Sequence, residues 1–213
     1  MQATQLQDIL HVPVIPVYYN DNPETCASIL RACYSGGIRT FEFTNRGAAA
    51  ADNFRQLLQL RDQEMPDLKM GIGTIKTAAD ADQFISIGAD FIVSPIVSRE
   101  VAAVAAQPGI LWIPGCMTPT EIALAEDLGA NLVKLFPGDT LGTGFLKAIK
   151  PLFSGLKFMP TGGVEPNRES ITTWFDAGAS AVGLGSKLFA GTNEAGFGQL
   201  SLRCEQLIKA LPL

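Results

Sequence analysis

The stretch DLGANLVKLFPG, residues 127–138, joins a glycine that suits the end of a helix to an apolar run that predicts a buried strand. Glycine suits that position because it adopts positive φ without a Cβ clash. The same order recurs in YSGGIRTFEF, SIGADFIVSP and DAGASAVGLGS, and the marker glycines are Gly37, Gly88, Gly129 and Gly178. Consecutive markers are two strand–helix units apart, which indicates a repeated β–α architecture.

Strand-like runs alternate with helical patterns along the chain. The runs are HVPVIPVYY, RTFEFT, KMGIGT, DFIVSP, ILWIPG, NLVKLFP, LKFMPT and SAVGLGS. Helices are predicted near residues 23–35, 48–62, 77–87, 98–107, 119–128, 142–150 and 167–177, with more helix toward the C-terminus. Thr118, Pro119 and Glu121 supply an N-cap, a proline at the first helical position and a capping-box acid.

This alternation predicts a parallel sheet, and eight such units closing on themselves make a TIM barrel. Because no linker or low-complexity segment interrupts the pattern, we expect one α/β domain, a (β/α)8 barrel over residues 1–213. The competing fold is an open doubly wound sheet. Its dinucleotide-binding form would carry GxGxxG after the first strand, and this sequence has none there.

Composition limits the class of function. The net charge of −5 disfavours nucleic-acid binding, which needs clustered Lys and Arg. Four scattered cysteines without a CxxC pair, and a single histidine, argue against a metal centre or a disulfide scaffold. The N-terminus lacks the pattern of a signal peptide, and no window is apolar enough to cross a membrane. We therefore expect a cytoplasmic protein without a membrane partner.

One lysine lies inside an apolar strand. With period-two alternation, Leu132, Lys134 and Phe136 share one strand face, and on the second strand Thr40 and Glu42 share another. The outer face of a barrel strand must be apolar to meet helices, so Lys134 and Glu42 are expected inside, near the carboxyl ends of the strands. We call the end formed by the carboxyl ends of the strands the mouth.

A buried amine loses the hydration that favours its charged form, and the neutral amine can attack a ketone to form a Schiff base. Two structural explanations remain open for Lys134: an ion pair with Glu42, or a side chain that extends out of the barrel end. Lys76, in the loop after the third strand, is the competing nucleophile, although a loop lysine is usually hydrated and charged.

Two glycine motifs follow the last two strands. PTGGV contains Gly162 and Gly163, and GLGS contains Gly185 and Ser186. Barrel enzymes often bind phosphate in the loops after strands 7 and 8, where backbone N–H groups of small residues can approach it. Each motif alone is compatible with a plain tight turn, but the two at adjacent strands favour a phosphorylated ligand.

Arg46 and Thr74 follow the second and third strands. A guanidinium group beside a hydroxyl suits a carboxylate, so these two residues are candidates for binding an acidic substrate. A surface salt bridge is the alternative explanation for Arg46.

The motifs FEFTNRG, GIGT, DFIVSP, PGCMTPTE, VKLFPG, PTGGV and GLGS occur in this order over about residues 12–190. Together they resemble the 2-keto-3-deoxy-6-phosphogluconate (KDPG) aldolase family, which includes 4-hydroxy-2-oxoglutarate (KHG) aldolases. The resemblance implies a class I aldolase that needs no metal or other cofactor and forms a homotrimer.

The resemblance also assigns roles to individual residues. It makes Lys134 the Schiff-base lysine and Glu42 the general acid and base. The keto-acid end of the substrate would be held by Arg46, Thr74 and Thr161, the pocket lined by Pro95 and Phe136, and the phosphate held by Gly162, Gly163 and Ser186.

The sequence departs from the family where the distal end of the substrate would lie. Many members carry Arg or Lys just after strand 1, where this chain has Tyr18, Tyr19 and Asn20. Strand 8 reads GLGSK where many phosphogluconate enzymes have GGSW, and GLGS is closer to the phosphogalactonate branch. Pyruvate formation is therefore better defined than the identity of the aldehyde.

Three other functions remain open at this point. A phosphate-binding isomerase or epimerase could use Glu42 as a proton shuttle without breaking a carbon–carbon bond. A catalytically silent protein could bind a sugar phosphate or a keto acid. A magnesium-dependent class II aldolase is disfavoured because no inward carboxylate cluster accompanies Glu42.

Overall fold

The computed structural model describes residues 2–192 and 196–211, so both ends of the expected 1–213 domain and residues 193–195 lie outside it. The strands are β1 (Val14–Tyr18), β2 (Thr40–Thr44), β3 (Lys69–Gly73), β4 (Phe91–Val93), β5 (Leu111–Ile113), β6 (Gly115–Cys116), β7 (Leu132–Leu135), β8 (Lys157–Pro160) and β9 (Val182–Leu184). The helices are α1 (Gln2–His11), α2 (Pro23–Ser35), α3 (Ala50–Glu64), α4 (Ala78–Ile87), α5 (Arg99–Ala106), α6 (Pro119–Asp127), α7 (Gly138–Ile149), α8 (Arg168–Asp176) and α9 (Phe197–Lys209).

The helix ends and the helix cap predicted from the sequence are confirmed. All four marker glycines have positive φ, between 85° at Gly129 and 113° at Gly88. At the start of α6, the Thr118 side chain accepts from the Glu121 N–H and the Glu121 side chain caps the Thr118 N–H, with Pro119 at the first helical position. Each helix therefore stops or starts where the chain must turn toward the next strand.

The strands form two parallel sheets. One sheet has six strands in the order β5-β4-β3-β2-β1-β9, and the other has three in the order β6-β7-β8. The predicted α/β fold with parallel strands is confirmed, but the closed eight-stranded barrel is found only as these two sheets. The division falls at two places, the Pro114 break between β5 and β6 and the junction of β8 with β9.

Both places have a local explanation. Pro114 has no N–H to donate to a ladder, although its carbonyl still accepts from the Lys134 N–H at 2.8 Å. Between β8 and β9 the one recorded bridge joins Thr161 to Gly183, beyond the end of β8. The backbone N–H of Ser180 also donates to the Phe158 carbonyl at 2.8 Å. We call the contact between β8 and β9 the seam.

Two helices differ from the sequence prediction. The α1 helix was not expected. Its Gln5 side chain accepts from the Leu111 N–H, and its buried Ile9 packs inside the amino-terminal end of the sheets. The α7 helix begins at Gly138, four residues earlier than predicted, and Gly142 interrupts it with φ 70° and ψ 170°. The predicted start at residue 142 therefore coincides with a kink inside the helix.

The core has two parts. The larger cluster lies between strands and helices and includes Phe41, Phe43, Val133 and Leu135. The smaller lies inside the curve of the sheets and consists of Ile9, Ile15, Phe91, Val93, Leu111, Ile113, Leu132, Met159 and Ala181. Among the described residues, no helix has both the length and the apolar character to cross a membrane. The inner cluster fills the amino-terminal half and leaves the polar residues toward the mouth.

Candidate active site

Lys134 and Glu42 meet inside the curve of the sheets. Lys134 alternates on β7 with Val133 and Leu135 of the outer core, and Glu42 alternates on β2 with Phe41 and Phe43. The Lys134 Nζ atom lies 3.5 Å from Glu42 Oε1, and the two side chains are 8% and 1% exposed. Strand alternation thus brings an amine and a carboxylate together away from bulk solvent.

The Glu42 carboxylate has one oxygen without a partner. Oε1 is the acceptor of the Lys134 ammonium, whereas Oε2 is buried and has no donor among the described residues. A buried carboxylate oxygen without a hydrogen bond is unfavourable, and such groups in native structures are often functional. The second oxygen is therefore available to accept a proton from a bound substrate.

A glycine makes the room for this carboxylate. Gly73 lies on β3 beside Glu42 on β2, and a Cβ built on Gly73 would come 2.7 Å from Glu42 Cδ and overlap Oε1. Any side chain at this position must displace the carboxylate. Gly73 was not predicted as a site residue, although the two glycines of GIG share one strand face and thereby indicate open space there.

The apolar wall of the site is built around the lysine. The Phe136 ring centroid lies 5.3 Å from Lys134 Nζ, within the range of a cation–π contact. Phe136 is partly exposed at the mouth, and Pro95 follows β4 at the same end. Lys76, the competing nucleophile, is exposed after β3. Of the two lysines, Lys134 is the one held in an apolar environment.

The thiols of Cys116 and Cys26 do not compete as nucleophiles. Cys116 lies on β6, where it pairs with Leu135 of β7, and burial raises the pKa of its thiol to about 12. Burial likewise raises the pKa of Cys26 to about 11. Because the thiolate is the reactive form, both groups are unreactive near neutral pH. The amine of Lys134 remains the candidate nucleophile at the centre of the site.

Arg46 and Thr74 lie at the mouth, in the loops after the paired strands β2 and β3. The Arg46 side chain is exposed, and the described residues include no hydrogen-bond or ion-pair partner for its guanidinium group. Thr74 has φ 66°, a left-handed conformation that is rare for a β-branched residue. Backbone strain of this kind is concentrated at functional sites and is consistent with a positioned hydroxyl.

The glycine motifs meet across the seam. Gly162 and Gly163 have φ values of 89° and 72° and follow β8, while Gly185 and Ser186 follow β9. No atom lies within 4 Å of a Cβ built on Gly185, so the space beside it is open. We call these four residues the cradle. The cradle exposes backbone at the mouth, as a site for an anion requires.

Thr161 connects the cradle to the interior. Its hydroxyl is buried without a hydrogen-bond partner among the described residues, and its carbonyl accepts from the Gly138 N–H at 2.8 Å. A Cβ built on Gly183 would lie 3.0 Å from Thr161 Cγ2 and overlap Oγ1. Gly183, which sequence reasoning also missed, therefore makes room for the threonine side chain at the seam.

The comparisons with known proteins agree with this arrangement. The family model described as KDPG and KHG aldolase matches residues 6–195. A 2-dehydro-3-deoxy-phosphogluconate aldolase of Treponema pallidum is 35% identical over 165 residues, which cover 77% of each chain. The KHG/KDPG aldolase of Escherichia coli K12 is 32% identical over 155 residues, covering 72% of this chain and 71% of its own.

A solved structure is also similar over nearly the whole chain. The KDPG aldolase of Legionella pneumophila, described with pyruvate captured at low pH as a covalent carbinolamine intermediate, superposes with a TM-score of 0.82. It is 28% identical, and the match covers 97% of each chain. The expected family is confirmed by these findings: the chain belongs to the KDPG and KHG aldolase family.

Proposed function

We propose that the protein is a class I aldolase that cleaves a 4-hydroxy-2-keto acid to pyruvate and an aldehyde. The substrate is a 2-keto-3-deoxy-6-phospho sugar acid of the phosphogluconate or phosphogalactonate type, or 4-hydroxy-2-oxoglutarate. The aldehyde is then glyceraldehyde 3-phosphate or glyoxylate. The observation that carries the proposal is the buried Lys134 amine 3.5 Å from a Glu42 carboxylate whose second oxygen has no donor among the described residues.

The reaction begins with the amine. Lys134 passes a proton to Glu42 and attacks the C2 ketone, which gives a carbinolamine. Glu42 returns the proton to the departing hydroxyl, water leaves, and a protonated imine forms between Nζ and C2. The burial of both groups supports this exchange because no bulk water competes for the proton.

The imine then accepts electrons from the bond that breaks. Glu42 removes the proton of the C4 hydroxyl, the C4 carbonyl forms, and the C3–C4 electron pair moves into the iminium to give a neutral enamine. The aldehyde leaves. Glu42 returns its proton to C3, and water hydrolyses the imine to release pyruvate and the free amine. One carboxyl thus serves both directions of proton transfer.

The other predicted site residues hold the substrate in this proposal. Arg46, Thr74 and Thr161 bind the keto-acid carboxylate. This assignment is supported by the positive φ of Thr74, and by the Arg46 guanidinium and the buried Thr161 hydroxyl, neither of which has a partner in the part of the chain that the structure describes. Pro95 and Phe136 line the pocket. The cradle residues Gly162, Gly163, Gly185 and Ser186 bind the distal phosphate through backbone N–H groups.

Borohydride trapping tests the proposal. Incubation with pyruvate and borohydride, followed by peptide mapping, is expected to place a stable secondary amine on Lys134. Lys134→Met should abolish the adduct, and Lys76→Met is the matched control that should retain it. An isomerase or a silent binding protein of this fold would give no adduct, and an adduct on Lys76 would contradict the assignment. Full activity in a chelator would exclude a magnesium-dependent mechanism.

We further propose that the two sheets act as one closed (β/α)8 barrel in a single domain. The Pro114–Lys134 hydrogen bond and the Thr161–Gly183 bridge support closure at the two breaks. Family resemblance supports a cytoplasmic homotrimer with small-molecule substrates as its ligands. Sedimentation equilibrium of the full chain tests the oligomeric state, and a monomer would contradict it.

A further inference from the structure

An ion pair spans the rim of the cradle. Glu165 lies two residues beyond Gly163, and Lys187 follows Ser186 directly. Their side chains pair across the two loops, Lys187 Nζ with Glu165 Oε1, and they are 56% and 44% exposed. A cation and an acid therefore stand beside the backbone that would bind the distal end of the substrate.

The backbone that carries Lys187 is firmly anchored. Residues Ser186–Phe189 form a short 3-10 turn in which Leu188 is fully buried. The Phe189 ring lies 4.7 Å from the Tyr18 ring, and Arg203 on α9 donates to the Leu188 carbonyl. The lysine thus has a fixed base, while its long side chain ends in solvent and can change partners.

Two other lysines near β8 and β9, Lys157 and Lys150, lie at the end of the sheets opposite the mouth. Lys157 is the first residue of β8, and Lys150 Nζ lies 2.8 Å from a Cβ built on Gly178, which precedes β9. Both are at the amino-terminal side of the sheets, opposite the mouth. Lys187 is therefore the lysine that β8, β9 and the segments joined to them carry to the cradle side.

The surroundings of the cradle make a cation important. Asp139 packs against Gly163, where a Cβ would lie 2.7 Å from Asp139 Cα, so a second acid stands near the cradle besides Glu165. The segment between β1 and α2 consists of Tyr19, Asn20, Asp21 and Asn22, none of which is basic. Without a cation on the rim, the cradle would bind a phosphate dianion next to two carboxylates.

We infer that Lys187 is the residue that recognises a phosphate monoester on the aldehyde half of the substrate, and that Glu165 holds it until substrate arrives. The inference rests on the proposed aldolase function. A phosphate carries more charge than a carboxylate and more acceptor oxygens, so the ammonium gains by leaving Glu165 for it. The exposed pair is easily exchanged because solvent screens it.

The alternative role for the pair is a structural strap that ties the two loops together. The two roles predict different changes in the preference for the phosphorylated substrate when Lys187 or Glu165 is replaced. If Lys187 binds phosphate, removing Glu165 frees it and strengthens discrimination, whereas removing Lys187 weakens discrimination. If the pair is a strap, removing either partner loosens the cradle in the same way and affects both substrates.

The experiment compares the phosphorylated and unphosphorylated forms of the same 2-keto-3-deoxy sugar acid. The measured quantity is the ratio of kcat/KM for the two forms, in the wild type and in Lys187→Met, Lys187→Arg and Glu165→Gln. Lys209→Met is the matched control, because Lys209 forms an exposed pair with Glu205 on α9. Competitive inhibition by inorganic phosphate of cleavage of the phosphorylated form provides a second readout.

Lys187→Met is expected to lower the ratio about 10-fold to 100-fold, mainly through KM for the phosphorylated form, because one charge-assisted hydrogen bond is lost. Lys187→Arg should keep most of the preference, Glu165→Gln should raise it, and Lys209→Met should leave it unchanged. The apparent inhibition constant of inorganic phosphate should rise in Lys187→Met.

Three results would overturn the inference: a wild type with equal kcat/KM for both forms, an unchanged ratio in Lys187→Met, or a parallel loss in Lys187→Met and Glu165→Gln for both forms. The wild-type pyruvate adduct separates this failure from failure of the proposed function. An adduct on Lys134 without phosphate discrimination rejects only the role of Lys187. A missing adduct rejects the aldolase assignment itself.

Discussion

The protein contains two lysine–glutamate pairs near its mouth, and their environments differ sharply. Lys134 and Glu42 lie in the interior at 3.5 Å with exposed fractions of 8% and 1%. Lys187 and Glu165 are in contact on the rim, with about half of each side chain in solvent. The same two charged groups therefore behave differently in the two places. Burial adds a desolvation cost to the interior pair, whereas solvent screens the rim pair and lets each group change partners easily.

The comparison concerns both reactivity and stability. In the interior, bulk water does not screen the two groups, so a proton that passes from Lys134 to Glu42 turns an ion pair into a neutral pair while the net charge of the site stays the same. On the rim, each group has solvent as an alternative partner, so the pair adds little to the free energy of unfolding. Substitutions in the buried pair should therefore affect chemistry, and substitutions in the exposed pair should affect recognition.

The largest effect is expected for Lys134. Lys134→Met should lower kcat by at least about 10⁴-fold, as removal of a covalent nucleophile does in other enzymes. Lys134→Arg is the companion variant. Arginine can still pair with Glu42, but it forms no Schiff base because its guanidinium group stays protonated. Steady-state pyruvate release measures both. Substantial turnover in the arginine variant would mean that the charge, and not the covalent bond, is what catalysis needs.

Glu42→Gln should come next, with a loss of about 10²-fold to 10⁴-fold in kcat, the usual contribution of a general acid and base. The pyruvate adduct on Lys134 should still form slowly and be trapped by borohydride, because the amine is intact. Rapid-quench measurement of a single turnover separates cleavage from adduct formation. A variant that cleaves at the wild-type rate would remove Glu42 from the mechanism.

Gly73→Ala sharpens the comparison by leaving both charged residues in place. The added methyl overlaps the position of Glu42 Oε1, and displacement of a catalytic group by about 1 Å can reduce the rate about 10²-fold. Gly144→Ala is the control, because no atom lies within 4 Å of a Cβ built there. We expect lower kcat only in the Gly73 variant, and equal activity of the two would contradict the steric explanation.

The smallest effect is expected at the rim. Glu165→Gln should change the free energy of unfolding by about 0–1 kcal/mol, which is typical of an exposed ion pair. Urea unfolding followed by circular dichroism measures this, and Glu205→Gln on α9 provides a second exposed pair for comparison. A loss several times larger than in the Glu205 variant would show that the rim pair supports the fold.

The sequence predicts what local chemistry determines. Period-two alternation was enough to place Lys134 and Glu42 on inward strand faces, because the opposite faces carry Phe41, Phe43 and Val133, which the helices cover. The marker glycines predicted the helix ends because positive φ is a backbone requirement of a single residue. Thr118 and Glu121 predicted the start of α6 for the same local reason.

What the sequence did not predict depends on contacts between distant segments. The division at Pro114 requires knowing which strand lies on each side of it, and α1 is stabilised by burying Ile9 against other elements. The roles of Gly73 and Gly183 depend on side chains that face them from neighbouring strands, Glu42 and Thr161. The Lys187 and Glu165 pair joins loops that are adjacent only after folding.

The seam has a mechanical consequence. Five residue pairs join β2 to β3, whereas among the described residues the contact between β8 and β9 has the single bridge from Thr161 to Gly183. The contact between β2 and β3 is therefore the more rigid of the two. Amide protons along β9 that face β8 should therefore exchange with deuterium sooner than those buried between β2 and β3. Small opening motions would then be concentrated at the seam, beside the cradle where we propose that the distal end of the substrate binds, and they would offer the aldehyde a route out.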